Sequence, residues 1–220
     1  MIRLAVAALA VAVFLTGCTV STGSVSKTGQ ILSNRVLDFV KGTPAAPYER
    51  IGDVADLTEN ATQTNLLMTG EQLSLAQGAA QATGAEAKTV AFVIESEVRA
   101  LDDGELERDV LGAIAGENTS IGIGQVLVST AVEIERTAPE FFGPTTDPDN
   151  DEQRTALIKR LASDDWSALY AAQYLVMLAK RFPGDGPVDQ AVRYTGANPA
   201  TSSTRDADLY QKVADVLEHS

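Results

Sequence analysis

The sequence is poor in the residues that most often build metal sites and nucleophilic catalytic units. Its 220 residues include one cysteine, Cys18, and one histidine, His219. A lone cysteine cannot form an internal disulfide, and a single histidine beside the C-terminus cannot complete a Ser-His-Asp or Cys-His catalytic unit. A zinc site is nearly as hard to build. We therefore expect neither a cofactor nor a metal, and catalysis would have to rest on carboxylates, hydroxyls or tyrosine.

Positive charge is also scarce. The chain has 17 Lys and Arg against 30 Asp and Glu, a formal net charge of −13. Nucleic acids and anionic lipid surfaces are bound through positively charged patches. The balance therefore argues against a nucleic acid partner, and we expect any membrane contact to be made by an attached lipid alone.

Long apolar runs are confined to the start of the chain. Arg3 is followed by an unbroken apolar stretch from Leu4 to Leu15. About 20 residues are needed to cross the hydrocarbon layer, so this run is too short for a transmembrane helix. A basic residue before a short apolar core is typical of a signal peptide.

The apolar run ends in Leu-Thr-Gly-Cys, whose last residue is Cys18. This ending resembles the lipobox of bacterial lipoproteins, in which the cysteine receives the acyl chains. We predict a signal peptide at residues 1–17, lipidation of Cys18 and a flexible tether at residues 18–26. The resemblance implies a cell-envelope lipoprotein, by default on the outer membrane facing the periplasm. The alternative is an ordinary secretory signal followed by an incidental cysteine.

The rest of the chain predicts a mainly α protein. Apolar residues recur at helical spacing, and no alternating strand pattern of useful length is present. We predict an N-terminal helical region at 27–101 and a second domain at 102–220. The predicted helical segments are 30–40, 58–81, 85–101, 105–117, 126–140, 151–162, 164–182, 187–194 and 205–218.

One glutamate stands out at the end of a predicted helix. Leu106, Val110 and Ala113 form an apolar stripe, and Glu117 follows Ile114 by three residues on the same face. Burial and the negative pole of the helix C-terminus would both favour the protonated carboxyl that a general acid needs. The alternative is a helix that ends before Glu117 and leaves it in a solvated turn.

The residues around Glu117 resemble the lytic transglycosylase and goose-type lysozyme superfamily. In that superfamily a helix ends in the catalytic Glu, and a Ser- and Gly-containing loop leads to Gly-Leu-Met-Gln and then a helix bearing Thr-Ala. Here Gly-Ile-Gly-Gln stands at 122–125 and Thr-Ala at 130–131.

Three further stretches are similar to motifs of the same superfamily and occur in the same order. They are Ala-Ala-Gln-Tyr-Leu at 171–175, Ala-Val-Arg-Tyr-Thr-Gly at 191–196 and Tyr-Gln-Lys-Val at 210–213. The resemblance therefore extends over about residues 105–215.

The resemblance implies a lysozyme-like helical domain that cleaves peptidoglycan from a membrane anchor. Glu117 would be the single catalytic Glu, protonating the glycosidic oxygen and then taking a proton from the muramic acid C6 hydroxyl. The product would carry a 1,6-anhydro ring. Ser120, Gly122, Gln125 and Tyr194 would line the substrate site.

Some positions depart from the superfamily pattern. The loop after Glu117 is shorter than in typical members, and Glu95, followed by Ser96, is a rival Glu-Ser pair upstream. Gly124 replaces the usual Met, and Thr195 replaces the usual Asn. Taken by itself, Tyr194 could also be a core aromatic residue with a satisfied hydroxyl.

Two other functions remain open from the sequence. One is a non-catalytic envelope lipoprotein that uses the fold to bind glycan or a protein partner. The other is a hydrolytic lysozyme with a second carboxylate such as Asp147 or Asp151. These acidic residues otherwise predict a solvated loop.

Replacing Cys18 tests the lipid anchor. Cys18→Ala should convert a membrane-bound protein into an unprocessed or soluble exported one, because the residue that carries the acyl chains is gone. Fractionation of cells that express the full chain measures this, with Ser24→Ala in the tether as the control. A Cys18→Ala protein that is cleaved and partitions with membranes as before would exclude lipidation at this residue.

Overall fold

The computed structural model describes residues 34–200 and 207–219. The predicted signal peptide, Cys18 and the tether lie outside these residues. Within them the chain forms helices and one two-stranded antiparallel hairpin, so the prediction of a mainly α fold is confirmed. The elements are α1 (Asn34–Val40), α2 (Val54–Thr64), α3 (Gly70–Thr83), α4 (Ala87–Ala100), α5 (Glu105–Ile114), β1 (Ser120–Ile121), β2 (Val126–Leu127), α6 (Val128–Thr137), α7 (Pro139–Phe142), α8 (Asp151–Ala162), α9 (Asp164–Arg181), α10 (Pro187–Tyr194) and α11 (Ala207–Glu218).

The central element is α9, an 18-residue helix that is buried around most of its circumference. Its most extensive contact is with α3, and it also touches α4, α6, α8, α10 and the hairpin. The buried side of α3 is rich in small residues, including Ala76, Ala79 and Ala80, which are fully buried. Small side chains allow two helix backbones to approach closely. Helices α4, α6, α8 and α10 and the hairpin thus pack around the α3–α9 pair.

One hydrophobic core extends across the boundary predicted between residues 101 and 102. Phe92 and Ile94 of α4 belong to the same buried cluster as Val110 of α5 and Leu169 of α9. The C-terminal helix α11 also packs back onto α2 and α4. The regions on either side of the predicted boundary therefore form a continuous structure.

Two predicted helical segments are divided in the structure. The segment 58–81 covers parts of both α2 and α3. They are separate helices because Asn65 adopts a left-handed conformation with φ 58°, and Thr69 then begins α3 with a capping box to Gln72. The segment 126–140 is interrupted at Ala138, before the proline that begins α7. These interruptions depend on single-residue dihedral angles, which apolar spacing does not report.

No helix within residues 34–200 and 207–219 has the length and apolar character needed to span a membrane.

Asp164 is an energetically unfavourable acidic residue at the start of α9. Its Oδ2 accepts a hydrogen bond from Gln72 Nε2 at 2.9 Å, but its buried Oδ1 has no partner among the described residues. Burial raises the pKa of Asp164 to about 6, although the Gln72 hydrogen bond acts in the opposite direction. The nearby charges of Glu71 and Asp165 raise this pKa further.

Because the pKa of Asp164 is raised in the folded protein, its contribution to the free energy of unfolding should fall as the pH rises from about 4 to 7. Over this range the folded protein must release a proton from Asp164 that the unfolded chain has already lost. Asp164→Asn removes this contribution. The free energy of unfolding of the variant minus that of the parent should therefore increase over that pH range by up to about 3 kcal/mol. Urea unfolding at pH 4.5 and pH 7.5 measures the difference. An equal effect of the substitution at both pH values would contradict the prediction.

Candidate functional site

A cavity of about 330 Å³ lies where the hairpin meets three helices. Its walls include Glu97 of α4, Tyr174 of α9 and Tyr194 of α10. The hairpin contributes Ser120 and Gln125. The structure thus brings together Ser120, Gln125 and Tyr194, three of the residues that the sequence predicted for a substrate site.

Gln125 holds the hairpin turn in a conformation that non-glycine residues rarely adopt. Its φ is 45°, which is unfavourable for a side chain with a Cβ. Ser120 Oγ donates a hydrogen bond to Gln125 Oε1 at 2.7 Å, and Gln125 Nε2 donates to the carbonyl of Gly122 at 3.0 Å. Both ends of the amide are therefore used inside the hairpin, and Gln125 fixes the cavity wall.

The two glycines of the turn pack closely against the helices beneath them. Gly122 has φ +80°, and a Cβ there would collide with the Leu161 carbonyl and the Ser167 hydroxyl. A Cβ on Gly124 would lie 2.9 Å from the Cβ of Ala171. Gly122 does not line the cavity, so the structure gives it a packing position under the turn. The same close approach explains why Gly124 replaces a larger residue.

Tyr194 joins α10 to the hairpin. Its hydroxyl donates a hydrogen bond to the Gly124 carbonyl at 2.6 Å, and its ring packs against that of Tyr174 at 5.1 Å between centroids. Burial raises the pKa of Tyr194 well above its ordinary value, with a further contribution from the charge of Glu97. Tyr194 is therefore a neutral hydrogen-bond donor that lies near Glu97.

Glu97 is the carboxylate that the structure places in the cavity wall. It is partly buried on α4, three residues before the end of the helix. Among the described residues that line this cavity it is the only acidic one. Sequence reasoning did not select it, although the Asp-Asp-Gly that follows at 102–104 is a stop signal close to this glutamate.

Glu95 lies two residues earlier and has a different role. Its side chain is fully buried, where it accepts hydrogen bonds from the Leu67 N–H at 2.9 Å and the Met68 N–H at 2.8 Å. It also forms an ion pair with Arg99 at 2.6 Å. Since an α-helix turns by about 100° per residue, side chains two apart point in nearly opposite directions. Glu95 thus fastens the α2–α3 connection, while Glu97 lies at the cavity.

Glu117 lies outside the cavity. Helix α5 ends at Ile114, and Gly116 then adopts φ +105°, so Glu117 follows in a turn and is exposed. Its carbonyl accepts a hydrogen bond from Arg154 Nη2 at 3.0 Å. The burial expected from helical spacing is therefore wrong, because the chain leaves the helix before this residue. The alternative of a solvated turn matches the structure.

The acidic loop at 147–151 is held away from the cavity by a buried ionic cluster. Glu135 is fully buried, pairs with Arg160 at 2.7 Å and accepts the Tyr170 hydroxyl at 2.6 Å. Its second oxygen accepts the N–H of Thr146 at 2.7 Å, directly before the loop. Neither Asp147 nor Asp151 lines the cavity. Among residues 34–200 and 207–219, no three His, Cys, Asp or Glu side chains come together as metal ligands.

Comparison with protein families gives a match over residues 57–180 to the family described as T6SS, Peptidoglycan muramidase Tse3, catalytic domain. The chain belongs to this family. It is an enzyme that cleaves peptidoglycan, and the lysozyme-like resemblance seen in the sequence is confirmed. The Tse3-type match includes Glu97, Ser120, Gln125 and Tyr174, whereas Tyr194 lies beyond its end. No curated protein matches the chain.

Proposed function

We propose that this enzyme cleaves glycan strands at the cavity described above, with Glu97 as the catalytic acid. The observation that carries the proposal is that Glu97 lines the same cavity as Ser120 and Gln125, where it is the acidic residue of the wall. Cleavage of a glycosidic bond requires a carboxylic acid within reach of the leaving oxygen. Neither Glu95 nor Glu117 meets this requirement, since one is buried in contacts of its own and the other lies outside the cavity.

The other lining residues suit a sugar. Hydroxyls of Ser120, Thr130 and Thr195 can exchange hydrogen bonds with sugar hydroxyls and acetamido groups. Leu127 is 41% exposed at the rim and Tyr174 lies in the wall, so the cavity also offers apolar surface to the faces of pyranose rings. The cavity thus combines an acid, hydroxyls and apolar surface at one place.

The proposed reaction uses no water. Glu97 donates its proton to the glycosidic oxygen as the bond from C1 of muramic acid to that oxygen breaks. The C6 hydroxyl oxygen of the same sugar then bonds to C1, and its proton returns to the Glu97 carboxylate. The result is a 1,6-anhydro end and a released sugar hydroxyl. A nucleophile within the substrate has a large effective concentration over water, so a second carboxylate is not required.

Hydrolysis is the second candidate reaction, and the word muramidase in the family description favours it. A hydrolase requires a second carboxylate roughly 5–10 Å from the acid. Glu133 is exposed one turn after Thr130 on α6, and its charge adds to the burial that raises the pKa of Tyr174. Glu133 is therefore the carboxylate to examine if water is the nucleophile.

Attachment through Cys18 completes the proposal. The signal-like segment and the lipobox resemblance support export, and peptidoglycan is located outside the cytoplasmic membrane. A lipid on Cys18 would hold the enzyme within the length of its tether from this substrate. An outer-membrane position facing the periplasm is the proposed site of action.

Glu97→Gln should lower the turnover of purified peptidoglycan by at least about a hundredfold, because the amide cannot donate the proton but keeps the shape of the side chain. Glu117→Gln is the matched control and should retain most of the activity. Release of soluble muropeptides measures the rate, and circular dichroism checks the fold. If Glu117→Gln abolishes activity while Glu97→Gln retains it, Glu97 is not the acid.

The product identifies the nucleophile. Mass spectrometry of the digested glycan should show 1,6-anhydromuramyl ends, which are lighter by one water than the reducing ends that hydrolysis leaves. Reducing ends as the main product, lost in Glu133→Gln, would contradict the proposed reaction and support hydrolysis.

A further inference from the structure

A second cavity has a volume of about 380 Å³. It shares with the first cavity a wall formed by residues 126–132. Within residues 126–132, Val126 and Thr130 line the first cavity, whereas Val128 and Val132 line the second. One strand end and the first turn of α6 thus separate the two. A ligand in the first cavity and a ligand in the second would both contact this segment.

The second cavity contains an arginine whose orientation is fixed. Arg154 Nε donates to the Ala113 carbonyl at 2.9 Å, and its Nη2 donates to the Glu117 carbonyl at 3.0 Å. No described carboxylate lies within ion-pair distance of Arg154. Two neutral acceptors hold the guanidinium in place without cancelling its charge. Such a group is suited to receive a carboxylate.

The remaining walls suit a short peptide. Val128 and Val132 are nearly buried and provide an apolar floor. Asn118 lines the cavity, and its Oδ1 accepts the Ser129 N–H at 2.9 Å, which fixes the plane of its amide. An apolar floor, an oriented amide and a guanidinium complement an aliphatic side chain, a peptide bond and a carboxylate.

We propose that the second cavity binds the acidic stem peptide of peptidoglycan while the glycan strand occupies the first. This inference rests on the proposed function. In intact peptidoglycan the lactyl carboxyl of muramic acid is in the amide bond to the peptide and is uncharged, so a carboxylate near the strand comes from the peptide. Each extended residue adds about 3.3 Å, so several residues of a stem peptide can extend beyond the first cavity along the first turn of α6.

The charges at the rim favour a peptide over a simple anion. Asp147 and Asp149 flank Pro148, which lines the cavity, and both are exposed. Like charges at the rim would disfavour a ligand that carries carboxylates alone. A stem peptide that also contains the amino group of a diamino acid can place this amine near the loop and a carboxylate at Arg154.

Two substrates test the proposal with the full-length enzyme. One is intact peptidoglycan, and the other is the same glycan with its peptides removed by an amidase. The parent should show a kcat/KM on intact material about tenfold above that on stripped strands, as expected for one charge-assisted contact. Arg154→Gln and Ser129→Trp should bring this ratio close to one. Gln63→Trp, an exposed position on α2, should leave it unchanged.

Binding of the released stem peptide, followed by NMR titration, gives a second measurement. The parent and Glu97→Gln should bind it, and Ser129→Trp should not. Ratios that stay the same in both cavity variants, with no peptide binding, would overturn the proposal. An enzyme that cleaves neither substrate but binds the peptide would instead refute the proposed function and leave this site intact.

Discussion

The close approach of the β-hairpin to α9 is the contact on which the arrangement of the cavity depends. Gly122 and Gly124 allow it because no side chain would fit between them and Ser167 or Ala171. Gly124 N–H donates to Ser167 Oγ at 3.0 Å, which fixes the turn on the helix. The buried α9 thereby fixes the position of the hairpin. The hairpin in turn places Ser120 and Gln125 in the cavity that Glu97 of α4 also lines.

Three of the described glutamates differ in their surroundings. The buried Glu95 and Glu135 are neutralised by an arginine and by backbone N–H donors, as a buried charge must be. Their contacts join segments that are distant in sequence, so they serve the fold. Glu97 is partly buried at a cavity that a sugar could enter. The distinction depends on surroundings and could not be made from residue type.

Apolar periodicity predicted most of the helices, because it is a local signal. Ser120, Gln125 and Tyr194 were named by the superfamily resemblance, and the structure places them at one cavity. The exposure of Glu117 could not be predicted from apolar spacing, because it depends on where α5 stops. That end is set by the positive φ of Gly116, and the face on which Glu97 lies is set by the packing of α4.

The superfamily resemblance assigned the catalytic role to Glu117. In the structure, the residues that follow Glu117 make contacts that join neighbouring elements of the fold. Thr119 Oγ1 donates to the Asp109 carbonyl at 2.9 Å, and the Thr119 carbonyl accepts the Val128 N–H at 3.1 Å. Residues 117–119 thus bind α5 and the end of the hairpin, and Arg154 ties them to α8. The Glu-Asn-Thr-Ser stretch at 117–120 therefore connects α5 to the hairpin. Under the proposed assignment, the acid is Glu97 on α4, which lines the same cavity as Ser120 and Gln125.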